Sequence, residues 1–512
     1  MKKILDGLRG LFTKEKGTGT VATVLMITAV VLLNVIVFTL TSAYGLYIYS
    51  PEYIDLSLSG NTDKLFENIP EGKEVTITFC MEEEEIKYHE MGAYVYRTAV
   101  QLSERYPFVK IQFVNMLTKL IEGENKIFPL EKYKTDMRGN ETPIRSNTVI
   151  FSSGDNYRTV TDTATSSGFI SFFSVDSDGE AYAYCGEEIM ASMMAWVLND
   201  TPGAERKVAY LTEKHGETAD YAFANILTCS GYYIESINLR EREVPSDAGM
   251  VIISNPTTDF YRLIDGASGR SEIERLESYL YERGGSLYVS LDPISRRLPV
   301  LEGFLEEWGI TLSGVVNEDG TYTRALVKDT NLGASPDGYS FLCNYGKSAM
   351  SDSILSNISE LNTGRVMTAS SAALLLDESK NAGALLTVSS AASLVAGGKT
   401  VDTEGNYAVA AYSVKDNSNG TSASLVVMPS IYFTAADAMT GEGYANRDFL
   451  YSVIHELGSD IMPIGCNVPR YTVGVLENFT MKDARLYTAL VLAIPLALAV
   501  AGSVIIIRRK NR

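Results

Sequence analysis

Hydrophobic and polar positions follow one another along this chain in three rhythms. Two long apolar runs without a charge lie near its ends: VATVLMITAVVLLNVIVFTL from Val21 and LYTALVLAIPLALAVAGSVIII from Leu486, the second holding Pro495. A helix of about twenty such residues crosses a hydrocarbon core of roughly 30 Å. The pattern therefore predicts transmembrane helices over 21–48 and 485–507, with Pro495 as a kink. Between them, short runs rich in β-branched residues read as strands, and stretches with apolar positions three or four apart read as helices.

The flanks of the two long runs set an orientation. Lys2, Lys3, Arg9, Lys14 and Lys16 precede the first, and Arg508, Arg509, Lys510 and Arg512 follow the second. Positive residues stay on the cytoplasmic side. That predicts a two-span protein of the cell membrane with cytoplasmic tails over 1–20 and 508–512 and an extracytoplasmic body over 49–484. A cleaved signal peptide ending near Thr41 and Ala43 is the other reading of the first run, whose apolar core is longer than a signal segment needs.

The body reads as α/β throughout. VTITFC from Val75 and VKIQFVNM from Val109 are strands, and the segment between them places Tyr88, Met91, Val95 and Leu102 on one helical face beside His89. NTVIFSSGDNYRTVT predicts a hairpin turning at Gly154-Asp155. These make a first, membrane-proximal α/β lobe over 49–180. GEEIMASMMAWVLND is a helix offering Ile189, Met193, Met194 and Trp196 to a core. From Val208 onward, VAYLT, YYIESINL, MVIIS and SLYVSLDP alternate with helical TADYAFANILTCSG and SEIERLESYLYERGG. Near-continuous apolar strands alternating with helices predict a mainly parallel, Rossmann-like sheet covered on both faces, over 181–300. A third α/β lobe over 301–484 holds a helix at LEGFLEEWGITL, a buried strand at SLVVMPS and a helix at RDFLYSVIHELGS.

Ligands of parallel sheets meet the carboxyl ends of the strands. The loops there carry His215, Gly216 and Glu217, then Asn255, then Asp292, and these are the candidate loop or cleft residues. A histidine with a carboxylate at a strand terminus suits general base and acid chemistry. No G-x-S-x-G nucleophile elbow accompanies it, and a recognition or structural loop explains Gly216 equally well, because glycine reaches positive φ cheaply. HELGSD at His455 lacks the second histidine of a zinc-protease helix, with Ser459 in its place; AGGKT around Lys399 has Ser393 where a phosphate loop has its first glycine. No cofactor and no metal is expected.

Net charge is −19 and the pI near 4.8, which excludes a basic nucleic-acid footprint. The five cysteines Cys80, Cys185, Cys229, Cys343 and Cys466 show no C-x-x-C spacing. They are buried free thiols or one or two disulfides with a thiol left over. In the second apolar run Ala489, Ala493, Ala497 and Ala501 recur every fourth residue, a row that favours helix packing in lipid and makes a candidate transmembrane packing face.

The order of these pieces resembles the GldG-like auxiliary proteins of ABC transporters, the gliding-motility type. IDLSLSGNT after the first run is similar to the family's D-L-T…L-S segment, and CGEEIMASMMAWVLND followed by VAYLTEKHGE to its helix and its strand ending in G-H-G-E. VPSDAGMVIISNP, LESYLYERGGSLYVSLDP and ANRDFLYSVIHELGSD match later segments; Lys214 replaces the family's glycine and His455 a frequent tryptophan. The resemblance implies a non-catalytic membrane subunit beside an ABC permease and a separate cytoplasmic ATPase, with a body that binds a partner or an extracytoplasmic ligand. An extracytoplasmic hydrolase using His215, Glu217 and Asp292, or a ligand-sensing module, are the rival expectations.

Overall fold

β-branched and aromatic runs that fit a pleated, half-buried surface become, among the described residues, the strands of two large sheets and five small ones of two or three strands in the computed structural model. It describes residues 55–471 apart from 68, 70–71, 117–119, 123–124, 163–168, 177, 219, 263–268, 360–363 and 441–442. The first sheet is built from β1 (Val75–Phe79), β2 (Val109–Phe113), β3 (Val149–Ser153) and β4 (Asn156–Val160), in the order β2-β1-β3-β4. β1 and β2 run parallel, and β3 turns into β4 across Gly154-Asp155 as expected. The helix between β1 and β2 is broken. α1 (Glu83–Lys87) ends before α2 (Gly92–Arg105) begins, with Tyr88 half exposed between them rather than on the apolar face. His89 sits at that break, its Nδ1 accepting the Gly92 N–H at 3.0 Å.

α3 (Gly186–Leu198) joins this sheet to the rest. All but one of its residues are buried, and its methionines and Trp196 share a core with both sheets. Its first turn carries two buried carboxylates that reach in different directions. Glu187 accepts hydrogen bonds from Ser59, Thr62 and the Asn467 N–H, tying both ends of the described chain together. Glu188 takes both oxygens to Arg447 Nη1 (2.7 and 3.0 Å) and one to the Tyr451 hydroxyl at 2.5 Å.

The second sheet has ten strands. Its parallel half uses β5 (Val208–Thr212), then α4 (Tyr221–Cys229), β6 (Tyr233–Ile237), β7 (Ala248–Ser254), α5 (Glu272–Arg283) and β8 (Ser286–Ser290). After α6 (Pro299–Glu307) come β9 (Ile310–Leu312), β10 (Asn344–Tyr345), α7 (Ala349–Ser359), β11 (Leu374–Leu376), β12 (Ala382–Thr387), β13 (Ala408–Asp416) and β14 (Ser422–Met428), and then α8 (Asn446–Glu456). The path runs β6-β5-β7-β8-β14-β13-β11-β9, with β12 on β13 and β10 on β12. β14 pairs parallel to β8, and from β13 onward every pairing is antiparallel. Successive side chains of the parallel strands enter different cores, as strand geometry requires. Met250 and Ile252 pack with α4, while Val251 and Ile253 pack with α5 and α6.

These facts correct the expected fold class. The sheet of 181–300 is not a separate, mainly parallel lobe: its fifth parallel strand comes from β14, and it continues into the antiparallel strands of the last third. The body is α/β with mixed sheets. Among the described residues, moreover, no helix is long and apolar enough to cross a membrane. The longest described helix, α2, has 14 residues, which at 1.5 Å per residue span about 21 Å. The expected spans over 21–48 and 485–507, and the row Ala489, Ala493, Ala497 and Ala501, lie outside the described residues. The flanking transmembrane helices are therefore removed from the fold description. With them goes the expected localisation as a two-span membrane protein with cytoplasmic termini and an extracytoplasmic body.

All five cysteines are free thiols. AGGKT is the turn of a β-hairpin between Ser393–Ala396 and Lys399–Asp402, with Gly397 and Gly398 at positive φ. His455 ends α8 exposed, its Nδ1 against the Ser459 carbonyl at 2.9 Å.

Candidate functional site at the carboxyl edge of the parallel strands

In the order β6-β5-β7-β8-β14 the chain direction of the connections reverses between β5 and β7, and a crevice opens there at the carboxyl ends. The loop leaving β5 fills it. Lys214 stands at φ +82 and Gly216 at φ +69, so the chain doubles back and drops His215 inward. A Cβ on residue 216 would collide with Thr257 Oγ1, which makes glycine a steric requirement. Thr257 and Thr258, leaving β7, donate their N–H groups to the His215 carbonyl at 2.8 and 2.9 Å and close the crevice from the other side.

The His215 ring is completely buried. Its Nδ1 lies 2.9 Å from Glu217 Oε1, and its Nε2 lies 3.0 Å from Glu272 Oε1 and 3.1 Å from Oε2. Carboxylates only accept hydrogen bonds, so both ring nitrogens carry protons and the ring is an imidazolium. Burial alone would lower its pKa. The hydrogen bonds to Glu217 and Glu272, and their charges, outweigh that and raise it to about 9. Burial pushes Glu217 and Glu272 the opposite way, and the bond each makes to His215 leaves both below the usual carboxylate range.

Further contacts fix this clamp. Phe260 stacks on the imidazolium, centroids 4.0 Å apart and planes 7° from parallel, a cation over an aromatic face. Glu272 also accepts the Tyr261 N–H at 2.6 Å and Arg240 Nε at 3.3 Å. It is the first residue of α5, which begins with a capping box of Ser271 and Glu274, so a carboxylate there also meets the positive helix terminus. Two cations and two anions balance, with His215 and Glu272 shut off from solvent and Arg240 at the surface. As general base His215 has no free nitrogen and no lone pair to offer.

The other candidates lie along the same edge with separate duties. Asn255 is at φ +49, its N–H on the Ser290 carbonyl at 2.9 Å and its buried Oδ1 without a hydrogen bond. Asp292 Oδ1 accepts the Ile294 N–H at 3.0 Å and heads its own turn; no hydrogen bond joins it to His215 or Glu217 among the described residues. Sequence reasoning missed Glu272, Phe260 and Arg240. Only the Ser271-x-x-Glu274 box hinted that α5 starts at the site.

Known proteins add little. No family model matches the chain, and no curated protein does. Solved structures that resemble it include PurLQS of Thermotoga maritima, with 13% identity over 49% of this chain and 99% of that one. A cytoplasmic protein of Salmonella typhimurium matches with 9% identity over 49% of this chain and 98% of its own. Both have a TM-score of 0.27, too low to carry an argument about fold or function.

Three large apolar side chains stand exposed along this edge, among charged ones such as Glu213, Lys214 and Arg262. Tyr221, Tyr261 and Ile294 are 68%, 47% and 73% exposed. They follow β5, β7 and β8, three neighbours in the sheet whose ends are about 5 Å apart from one to the next.

Proposed function

We propose that this protein is a non-catalytic accessory subunit that works beside an ABC permease and its separate ATPase, holding a partner through the carboxyl-edge loops of its parallel strands. The observation that carries the reading is the His215 clamp. The crevice where a parallel sheet ordinarily receives a small ligand is filled by the protein's own charged and satisfied side chains. The loops it ties together instead present Tyr221 and Tyr261 to solvent, with Ile294 of the neighbouring loop beside them on the same edge, the side-chain types that anchor protein interfaces. The similarity of segment order to GldG-like auxiliary proteins supplies the class of partner.

A mild-detergent pull-down of the full-length chain, with partners identified by mass spectrometry, tests the proposal. A permease and an ATPase in near-stoichiometric yield are expected. The chain recovered alone, under conditions that keep other transporter complexes intact, would remove the reading.

A further inference from the structure

A second feature lies at the other end of the large sheet, on the face of the antiparallel strands. A groove of about 1220 Å³ runs over β12, β13 and the start of β14, walled by the turn around Asn381 and by the start of α7. Its volume exceeds the roughly 300–1,000 Å³ of sites for drug-sized molecules, which leaves room for an extended occupant along the strands. Tyr412, Val414 and Asp416 alternate along one face of β13 and line it.

Tyr412 offers the groove a broad platform. Tyr412 pairs with Gly383 across the strands, and a Cβ on Gly383 would lie 2.7 Å from Tyr412 Cε1. Glycine thus lets the ring lie flat over β12 with a face toward the groove. Around it stand the solvent-accessible carboxamides of Asn344, Asn381 and Asn406, none of which makes a hydrogen bond among the described residues. Asn381 and Asn406 are held at φ +58 and +55 by turns that leave their side chains to the groove.

This chemistry selects among ligands. A carboxamide both donates and accepts, which matches a hydroxyl that does the same. An aromatic face attracts the positive edges of C–H bonds. A sugar ring offers both in one molecule. Glu378, Asp416 and Glu456 outnumber Lys347 along the rim, which disfavours an acidic ligand. A peptide strand finds the edge of β12 already taken: β10 pairs with Leu386 and Thr387, Gly346 N–H takes the Leu385 carbonyl at 2.8 Å, and Ser351 Oγ takes that of Ala384 at 2.8 Å.

We infer that the groove binds a neutral oligosaccharide, stacked on Tyr412 and hydrogen-bonded by Asn344, Asn381 and Asn406. The inference stands independently of the partner proposed above. The test is calorimetric titration of the full-length chain with cellohexaose, xylohexaose, maltohexaose and chitohexaose, beside hexagalacturonate as the acidic control. At least one neutral hexamer is expected to bind with a Kd of about 1 mM or tighter, and Tyr412→Ala to weaken it by about tenfold or more. Asn406→Gly keeps the positive φ while removing the carboxamide, and is expected to weaken binding without unfolding the groove; Tyr412→Phe keeps the platform and the binding. Absence of heat with all four neutral hexamers at about 10 mM, equal binding of hexagalacturonate, or affinity unchanged in both Tyr412→Ala and Asn406→Gly would overturn the inference.

Discussion

The His215 clamp makes a quantitative prediction about local stability and pH. In an unfolded chain the imidazole titrates near 6.5, and in the clamp near 9. At 1.36 kcal/mol per pKa unit, the difference amounts to about 3 kcal/mol of stabilisation in favour of the closed loop. The sign follows from the raised value: the contribution is complete below pH 6.5, falls as pH rises and is gone above about 9. Glu217 and Glu272 have folded values below 4.5, so their share is present above 4.5 and is lost as pH drops through those lowered values. The clamp is strongest between about 4.5 and 6.5. His215→Gln leaves Glu272, 1% exposed, with only the half-exposed Arg240 as its cation, and breaking a buried pair costs about 3–5 kcal/mol. Hydrogen exchange of the peptide spanning residues 208–221, corrected for intrinsic rates, reads this without requiring reversible global unfolding. The native chain should lose about a hundredfold or more in protection between pH 6.5 and 9.5, and His215→Gln should start low and change little. Parallel pH profiles for the two proteins would refute the imidazolium clamp.

Three further perturbations follow, two in the same loop and one at the buried Glu188–Arg447 pair. Lys214→Gly relieves a non-glycine residue at φ +82 and, after the entropy glycine adds to the unfolded chain, should stabilise by about 0.5–1 kcal/mol in thermal melts. Gly216→Ala should destabilise by about 2 kcal/mol or more, since strain at positive φ adds to the collision with Thr257, and Thr257→Ala should restore part of that in the double variant. Arg447→Met leaves Glu188 buried and uncompensated and should cost about 3–5 kcal/mol; Glu188→Gln together with Arg447→Met should recover much of it in a double-mutant cycle.

What the sequence disclosed and what it hid divide along a physical line. Local periodicity announced β1, the hairpin β3–β4 and the run of β5, β7 and β8, because each is a continuous stretch whose own side chains decide its burial. The sequence could not announce that β14 completes the parallel half. Pairing of Leu287 with Leu425 is a contact between distant segments, and an apolar strand reads the same whichever sheet receives it. Tyr88 was misplaced because one helical face was drawn through a break at which the chain forms two helices. At the site, HGE and its strand terminus were visible, but Glu272 looked like an ordinary acidic first-turn residue of α5. Its role depends on a histidine 57 positions earlier. Glu188 likewise reads as a solvated helix start until Arg447 is brought to it by α8.

The central claim, that the carboxyl-edge loops hold a partner instead of performing chemistry, is tested most directly by site-specific photocrosslinking in cells. A photoreactive phenylalanine analogue replaces Tyr221, Tyr261 or Ile294 in turn, with Val401, exposed in the hairpin of Ser393–Ala396 and Lys399–Asp402, as control. The account predicts a crosslink from the three edge positions to a permease or ATPase polypeptide, and none from Val401. Edge positions that capture nothing, while Val401 captures the transporter subunit, would contradict it.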